Sequence, residues 1–402
     1  MTKSECRLSF ALFFCLLIFS AHGQNWALSD ATNLTWQSMA GSLDGTKLVA
    51  VSATDVNGNP GLIYISANGG QNWNLTSAPS NYWYSVAASA DGVRLVAGGE
   101  GDDPSGSIGP ICLSTNGGLS WQTSSAPTNE WQAVASSTNG QILAGEVYGG
   151  GIYISTNFGT IWNLATNATS ENWNSLAISA DGSKIYATYY GGIYVSTNTG
   201  ATWTPAIVTA DNWTPIACSL DGKLVFAAIR DTTSGGIYVS TNSGSTWSLS
   251  FNQHSYWQCL AMSTNGSVVF AGAYGDSLYL STNGAVSWGL QSNATLPPSP
   301  AWWCNYCSAN GNSLVAGAYG DYIYYSAPTT IPTLHIQTVA SHAVISWPTS
   351  AAAAGFQLQT IGVLQTAASW TNITAGYTQI GANYVYTNSL TAPSAFFRLE
   401  KP

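Results

Sequence analysis

The 402-residue sequence predicts an all-β fold: seven repeats, then a smaller β module. Three observations predict it. Charged residues are only 7% of the chain, whereas 45% are hydrophobic and 41 are Gly. Soluble proteins usually carry about 25% charge. A tryptophan recurs at positions 36, 83, 131, 173, 213, 257 and 302. Nine residues after each of them stands a Gly preceded by Asp or Asn, from Asp44-Gly45 to Asn310-Gly311. That dipeptide is a tight-turn signal between two antiparallel strands.

The same composition excludes other classes. Disorder needs low hydrophobicity and high charge. Nucleic-acid binding needs a basic footprint, and the net charge is −9 with a pI near 4.6. Coiled coils need Ala, Glu, Lys, Leu and Arg in abundance.

Residues 1–23 read as an address. Lys3 and Arg7 precede an apolar run at 8–20, and Ala21-His22-Gly23 supplies small residues for cleavage. This is the layout of a secretory signal peptide, too short to span a bilayer. The mature chain is expected outside the cytoplasm, with no membrane span. It keeps Cys112, Cys218, Cys259, Cys304 and Cys307. An odd number in a large secreted chain is not a disulfide framework. The lone C-x-x-C at 304–307 lacks a second pair, so small apolar strand residues are the expectation.

Within each repeat, apolar alternation flanks the turn, and a third strand follows, such as GIYIS at 151–155. A second motif then closes the repeat: SANGGQNW at 66–73, STNGGLSW at 114–121 and STNFGTIW at 155–162. It continues as STNTGATW at 196–203, STNSGSTW at 240–247 and STNGAVSW at 281–288. These six copies resemble the Asp-box, or BNR, repeat of sialidase-like β-propellers, S-x-D-x-G-x-x-W. Asn stands for Asp in every copy, and Ala285 stands where Gly is usual. A short polar side chain can bond the turn's backbone, Gly permits positive φ, and Trp anchors the strand. The motif is structural in proteins that carry it.

Repeats of this size with four strands each suit propeller blades. The seventh unit ends at Ile323–Ser326 without its second Trp, while Gln24-Asn25-Trp26 repeats Gln71-Asn72-Trp73. The N-terminal segment is therefore expected to supply the outer strand of the last blade, making a seven-bladed propeller over 24–327. A linker is expected at 328–332 by its Pro and Thr content. A small β-sandwich is expected over 333–402, from strand-like runs at 334–339, 343–347, 356–361, 370–373, 384–386 and 396–399. This tail is similar to fibronectin-type-III-like modules.

In a propeller, the loops entering each inner strand and those joining the second and third strands open on one face. Here they carry aromatic and acidic residues that vary between blades. Periodic recurrence marks the inner Trp set as packing. Tyr148, Tyr189, Tyr190, Arg230, Tyr274 and Tyr319 are the ligand-binding candidates. Aromatic plates beside polar groups suit sugar rings. Glu100, Glu146, Asp231, Asp276 and Asp321 are the candidate acids for a glycoside hydrolase, with no pair singled out. Sialidase chemistry needs three Arg, and the repeats hold only Arg94 and Arg230. The spacing Asp55, Asn57, Asn59 opens like a calcium loop but lacks the closing Glu. His254 is alone, so no zinc site and no cofactor is expected. The resemblance extends to the propellers of photosystem II assembly factors, which are protein-binding scaffolds. The sequence thus points to a secreted, monomeric, non-catalytic binding propeller for an extracellular glycan or protein, with a glycoside hydrolase as the alternative.

Overall fold

The computed structural model describes residues 24–327, except 56, 101–107, 169, 234, 293–294 and 298–299, together with seven strands and two short turns between 335 and 400. The signal-peptide and linker expectations lie outside the described residues. The chain divides into two compact units, 1–327 and 328–402. No helix occurs among the described residues, and none is long and apolar enough to cross a membrane.

The first unit is a succession of four-stranded antiparallel sheets with the chain order preserved inside each. Leu34–Gly41, Leu48–Ser52, Ile63–Ser66 and Asn74–Leu75 form the first. The last is built from Trp302–Cys307, Leu314–Asp321, Ile323–Ala327 and the N-terminal strand Asn25–Leu28. Trp26 pairs with Ser326 in its antiparallel register. Each innermost strand packs against the next, and Trp302–Cys307 packs against Leu34–Gly41. This is a propeller arrangement closed into a ring, so first and last blades share no open edge.

The core is aromatic. The seven inner tryptophans are 0–1% exposed. A third-strand Tyr meets the inner Trp edge-on in six blades: Tyr64 on Trp36 at 5.4 Å, Tyr153 on Trp131 at 5.3 Å, Tyr238 on Trp213 at 5.1 Å, and likewise Tyr194, Tyr279 and Tyr324. In the second blade Cys112 takes that place, in the Trp83 cluster. The outer Trp completes the stack, as Trp73 against Trp36 at 6.4 Å. Such edge and tilted pairs add roughly 0.5–1.5 kcal/mol each beyond their buried area.

The Asn-containing motif builds its own turn. The first Ser accepts the N–H of the fifth residue, as Gly200 to Ser196 Oγ at 2.9 Å. Asn Oδ1 accepts the seventh N–H, as Thr202 to Asn198 at 2.9 Å. In four copies the Trp indole donates to the fifth carbonyl, as Trp203 Nε1 to Gly200 at 3.1 Å. Asn Nδ2 also donates to the seventh side chain in five copies, for instance to Thr202 Oγ1 at 2.9 Å. A carboxylate has no such donor, which gives Asn its own reason to stand here.

The turns at the same end use the Ser six residues after each inner Trp. Ser179 Oγ donates to Asp181 at 2.6 Å and accepts Lys184 N–H at 3.0 Å. That bond is the leading reason why Asp44, Asp91, Asp181 and Asp221 lie below the usual carboxylate range, Asp181 at about 2.

The second unit holds two antiparallel sheets. One runs His335–Val339, His342–Pro348, Asn383–Ser389, Tyr377–Ile380; the other Thr371–Asn372, Gln357–Ile361, Phe396–Glu400. Trp347 is buried against Tyr377 and Tyr384. The strand Tyr377–Ile380 was not expected from the sequence.

Candidate functional site

The loop face is a consequence of strand direction. Each inner strand begins there with its Trp and ends at the opposite, Asp-bearing turns. Backbone bridges stitch the second-to-third loop of one blade to the entry loop of the next: Gly61 with Asn81, Gly150 with Glu171, Asp231 with Ser255, Tyr274 with Ala301. Tyr148 N–H donates to Glu130 O at 3.0 Å, and Tyr319 N–H to Ala301 O at 2.8 Å. The aromatic loops are thereby held on a rigid rim.

Six tyrosines on this rim are 37–50% exposed: Tyr148, Tyr190, Tyr256, Tyr274, Tyr319 and Tyr322. Tyr274 and Tyr319 are joined by a tryptophan outside the periodic framework. Trp303 meets Tyr319 at 5.1 Å and Tyr274 edge-on at 6.2 Å. Its position follows from a register shift that recurs in every inner strand just after the framework Trp. The skipped residues include Tyr84, Gln132, Asn174, Gln258 and Trp303. Bulges re-aim side chains. Asn174 Nδ2 donates across to Trp213 O at 2.9 Å, and Thr214 Oγ1 to Trp257 O at 2.9 Å.

The candidate acids separate into distinct environments. Glu100 lies half-buried at the end of its strand, beside Glu130 of the next blade and the Tyr84 hydroxyl. Burial first, then the Glu130 charge, raises its carboxyl, while Tyr84 pulls it down. Burial and the Glu100 charge push Tyr84 up to about 12, with Tyr319 near enough to contribute. Asp276 accepts Ser255 Oγ–H at 2.8 Å. Asp231 caps its own loop through Thr233 N–H at 2.5 Å, and Asp321 through Tyr322 N–H at 2.9 Å. Arg230 lies over the Tyr256 ring at 5.9 Å.

Two candidates belong to the packed framework. Glu146 is fully buried, both carboxyl oxygens lack a hydrogen-bond partner, and burial raises it well above its ordinary range. The reason is register: Glu146 pairs with Ala133 inside the third sheet. The equivalent residues elsewhere are Val51, Gly98, Thr188, Ala228, Gly272 and Gly317. Tyr189 packs on Trp173 at 5.8 Å and Tyr194 at 5.5 Å, within the framework.

The remaining motifs resolve locally. Asp55 closes its loop by accepting Asn57 and Asn59 N–H at 2.8 and 2.9 Å. No group of His, Cys, Asp and Glu suited to a metal occurs among the described residues. The five described cysteines are free. Cys304 and Cys307 belong to different core clusters, on opposite faces of one strand.

Glu130, Tyr84 and Trp303 were not among the expected site residues. The signal for Tyr84 and Trp303 was present in the residue following each periodic Trp, and that for Glu130 in the residue before it, where the seven repeats cease to agree.

No protein-family model and no curated protein matches this sequence. The fold is similar to several solved propellers. YCF48 bound to D1 peptide is 16% identical with a TM-score of 0.58, covering 77% of this chain and 98% of that one. YCF48 from Cyanidioschyzon merolae is 16% identical with a TM-score of 0.57, covering 76% and 100%. The GH74 xyloglucanase from Xanthomonas campestris is 12% identical with a TM-score of 0.61, covering 81% of this chain and 59% of the enzyme. At these identities the likeness is one of fold.

Proposed function

We propose that this chain is a secreted, non-catalytic binding propeller that takes a glycan or protein partner on its loop face. The single observation that carries the reading is the gathering of six exposed tyrosines on one rigid rim. Aromatic residues with polar tips supply contact area at low entropic cost. The propellers it resembles are consistent with both ligand classes: one is solved with a peptide, another is a xyloglucanase. The C-terminal unit acts as a fibronectin-type-III-like β-sandwich spacer or attachment module, and the mature protein is a monomer.

A hydrolase needs two carboxyls about 5–9.5 Å apart across a glycosidic bond. Glu100 and Glu130 instead touch one another, and Glu146 is sealed off. Binding without hydrolysis therefore fits this arrangement better.

The test is a glycan array run beside polysaccharide-hydrolysis assays on the full chain. Retention of glycans or proteins without product release supports the reading. Product release from any polysaccharide overturns it.

A further inference from the structure

Charge is segregated across the first unit. Between residues 24 and 327 the chain has five cationic side chains: Lys47, Arg94, Lys184, Lys223 and Arg230. Four of them belong to the Asp-bearing turns opposite the loop face. Lys47 Nζ donates to Asp91 O at 3.0 Å and Lys184 Nζ to Asp221 O at 2.6 Å. Lys223 lies 4.0 Å from Asp221, and Arg94 stacks over Phe158 at 4.0 Å. The loop face keeps Arg230 alone, against Glu100, Glu130, Glu171, Asp211, Asp276 and Asp321. The acids of the opposite face are absorbed by Ser–Asp turns, whereas Glu100 and Glu130 are set side by side from neighbouring blades.

Aromatic residues extend the same arc. Tyr274, Trp303 and Tyr319 are in continuous ring contact, Tyr319 lies near enough to Tyr84 to bear on its ionisation, and Tyr84 adjoins Glu100. Aromatic faces and carboxylates attract the same kind of group, a cation with an apolar stem. An arriving guanidinium would also relieve the repulsion between two adjacent carboxylates. Anionic ligands meet the wrong field.

We propose that the arc from Trp303 through Tyr319 and Tyr84 to Glu100 and Glu130 is the docking surface for an arginine- or lysine-bearing peptide segment. This rests on the loop face being the binding face, and it fixes the partner's chemistry as cationic polypeptide. The guanidinium groups seat between Glu100 and Glu130, and the alkyl stems lie on Tyr319 and Trp303.

The experiment is fluorescence anisotropy of the full chain with a labelled alternating Arg-Gly decapeptide, a Glu-Gly decapeptide and cellohexaose as a competitor. The Arg-Gly peptide is expected to bind, and to weaken about ten-fold between low and moderate salt. Glu100→Gln with Glu130→Gln should weaken it about ten-fold or more. Arg230→Gln should tighten it, and Trp303→Ala should weaken it, with melting temperatures held as a check on folding. The Glu-Gly peptide should not bind. Equal binding of both peptides, or binding unaffected by the double glutamate variant, would overturn the proposal. If cellohexaose binds by direct calorimetry and the Arg-Gly peptide does not, the cationic assignment falls and the loop-face reading stands. If neither binds, and the arrays above are also blank, both fall.

Discussion

The Glu100 carboxyl lies against that of Glu130, although the two come from different blades and 30 residues separate them in the chain. Burial and this neighbour raise Glu100, so its stabilising effect is complete below the ordinary glutamate range, about 4.3. It fades as the pH climbs through the raised folded value. Glu130→Gln should therefore stabilise the protein at pH 7 and change little at pH 3. Because Glu100 is partly exposed, the gain is small, about 0.5 kcal/mol. Denaturant midpoints at the two pH values check it.

Glu146 has no partner and no exposure. Its raised carboxyl favours the fold at acid pH and costs stability as the pH rises through its raised folded value. Glu146→Thr copies the next blade, where Thr188 Oγ1 donates to Thr214 O at 2.6 Å. That variant should gain on the order of 1–3 kcal/mol at pH 7. The gap should narrow on acidification, read as converging melting temperatures.

Ala285 sits at φ 66° where the five other motif copies place Gly. Left-handed backbone costs a residue with a Cβ about 1–2 kcal/mol. Ala285→Gly should therefore stabilise by up to about 1 kcal/mol. Phe158, at φ 60°, should gain less from the same change because Arg94 stacks on its ring. Equilibrium unfolding of the two variants separates them.

Asn198 tests the motif's chemistry. Asn198→Ala removes the acceptor for Thr202 N–H and should cost about 1–2 kcal/mol. Asn198→Asp keeps that acceptor, and the Thr202 hydroxyl can turn to donate, so it should lie within about 0.5 kcal/mol of the parent. Chemical denaturation of both measures the difference.

Trp26 stacks on Phe270 of the preceding blade at 5.5 Å while its strand closes the ring. Trp26→Ala should cost about 3–5 kcal/mol. Proteolysis beginning in the strand Ile323–Ala327 would show the ring opening there.

The repeated parts were legible because each is a local solution used many times over. The Trp period, the Asp-Gly or Asn-Gly turns and the Ser-x-Asn motif are held by bonds within a few residues, so spacing alone exposes them. Ring closure was legible too, since Trp26 keeps the outer-strand spacing. The site was less so. Trp303 and Tyr84 owe their aim to a register shift that no residue type announces. Glu146 looked like a loop acid because only pairing with Ala133 places it inside a sheet. Glu100 and Glu130 meet through blade-to-blade packing, which sequence distance conceals. The tyrosines divide between roles in the same way: Tyr194 and Tyr238 serve the core, while Tyr274 and Tyr319 face outward.

Binding on the loop face is measured most directly by comparing the parent chain with Trp303→Ala/Tyr319→Ala on one array of glycans and peptides. Tyr319 is exposed and Trp303 half-buried, both outside the periodic core, so the melting temperature should shift by only a few degrees. The parent is expected to retain ligands and the double variant to lose them. Equal retention by the two proteins would contradict a binding site on the loop face.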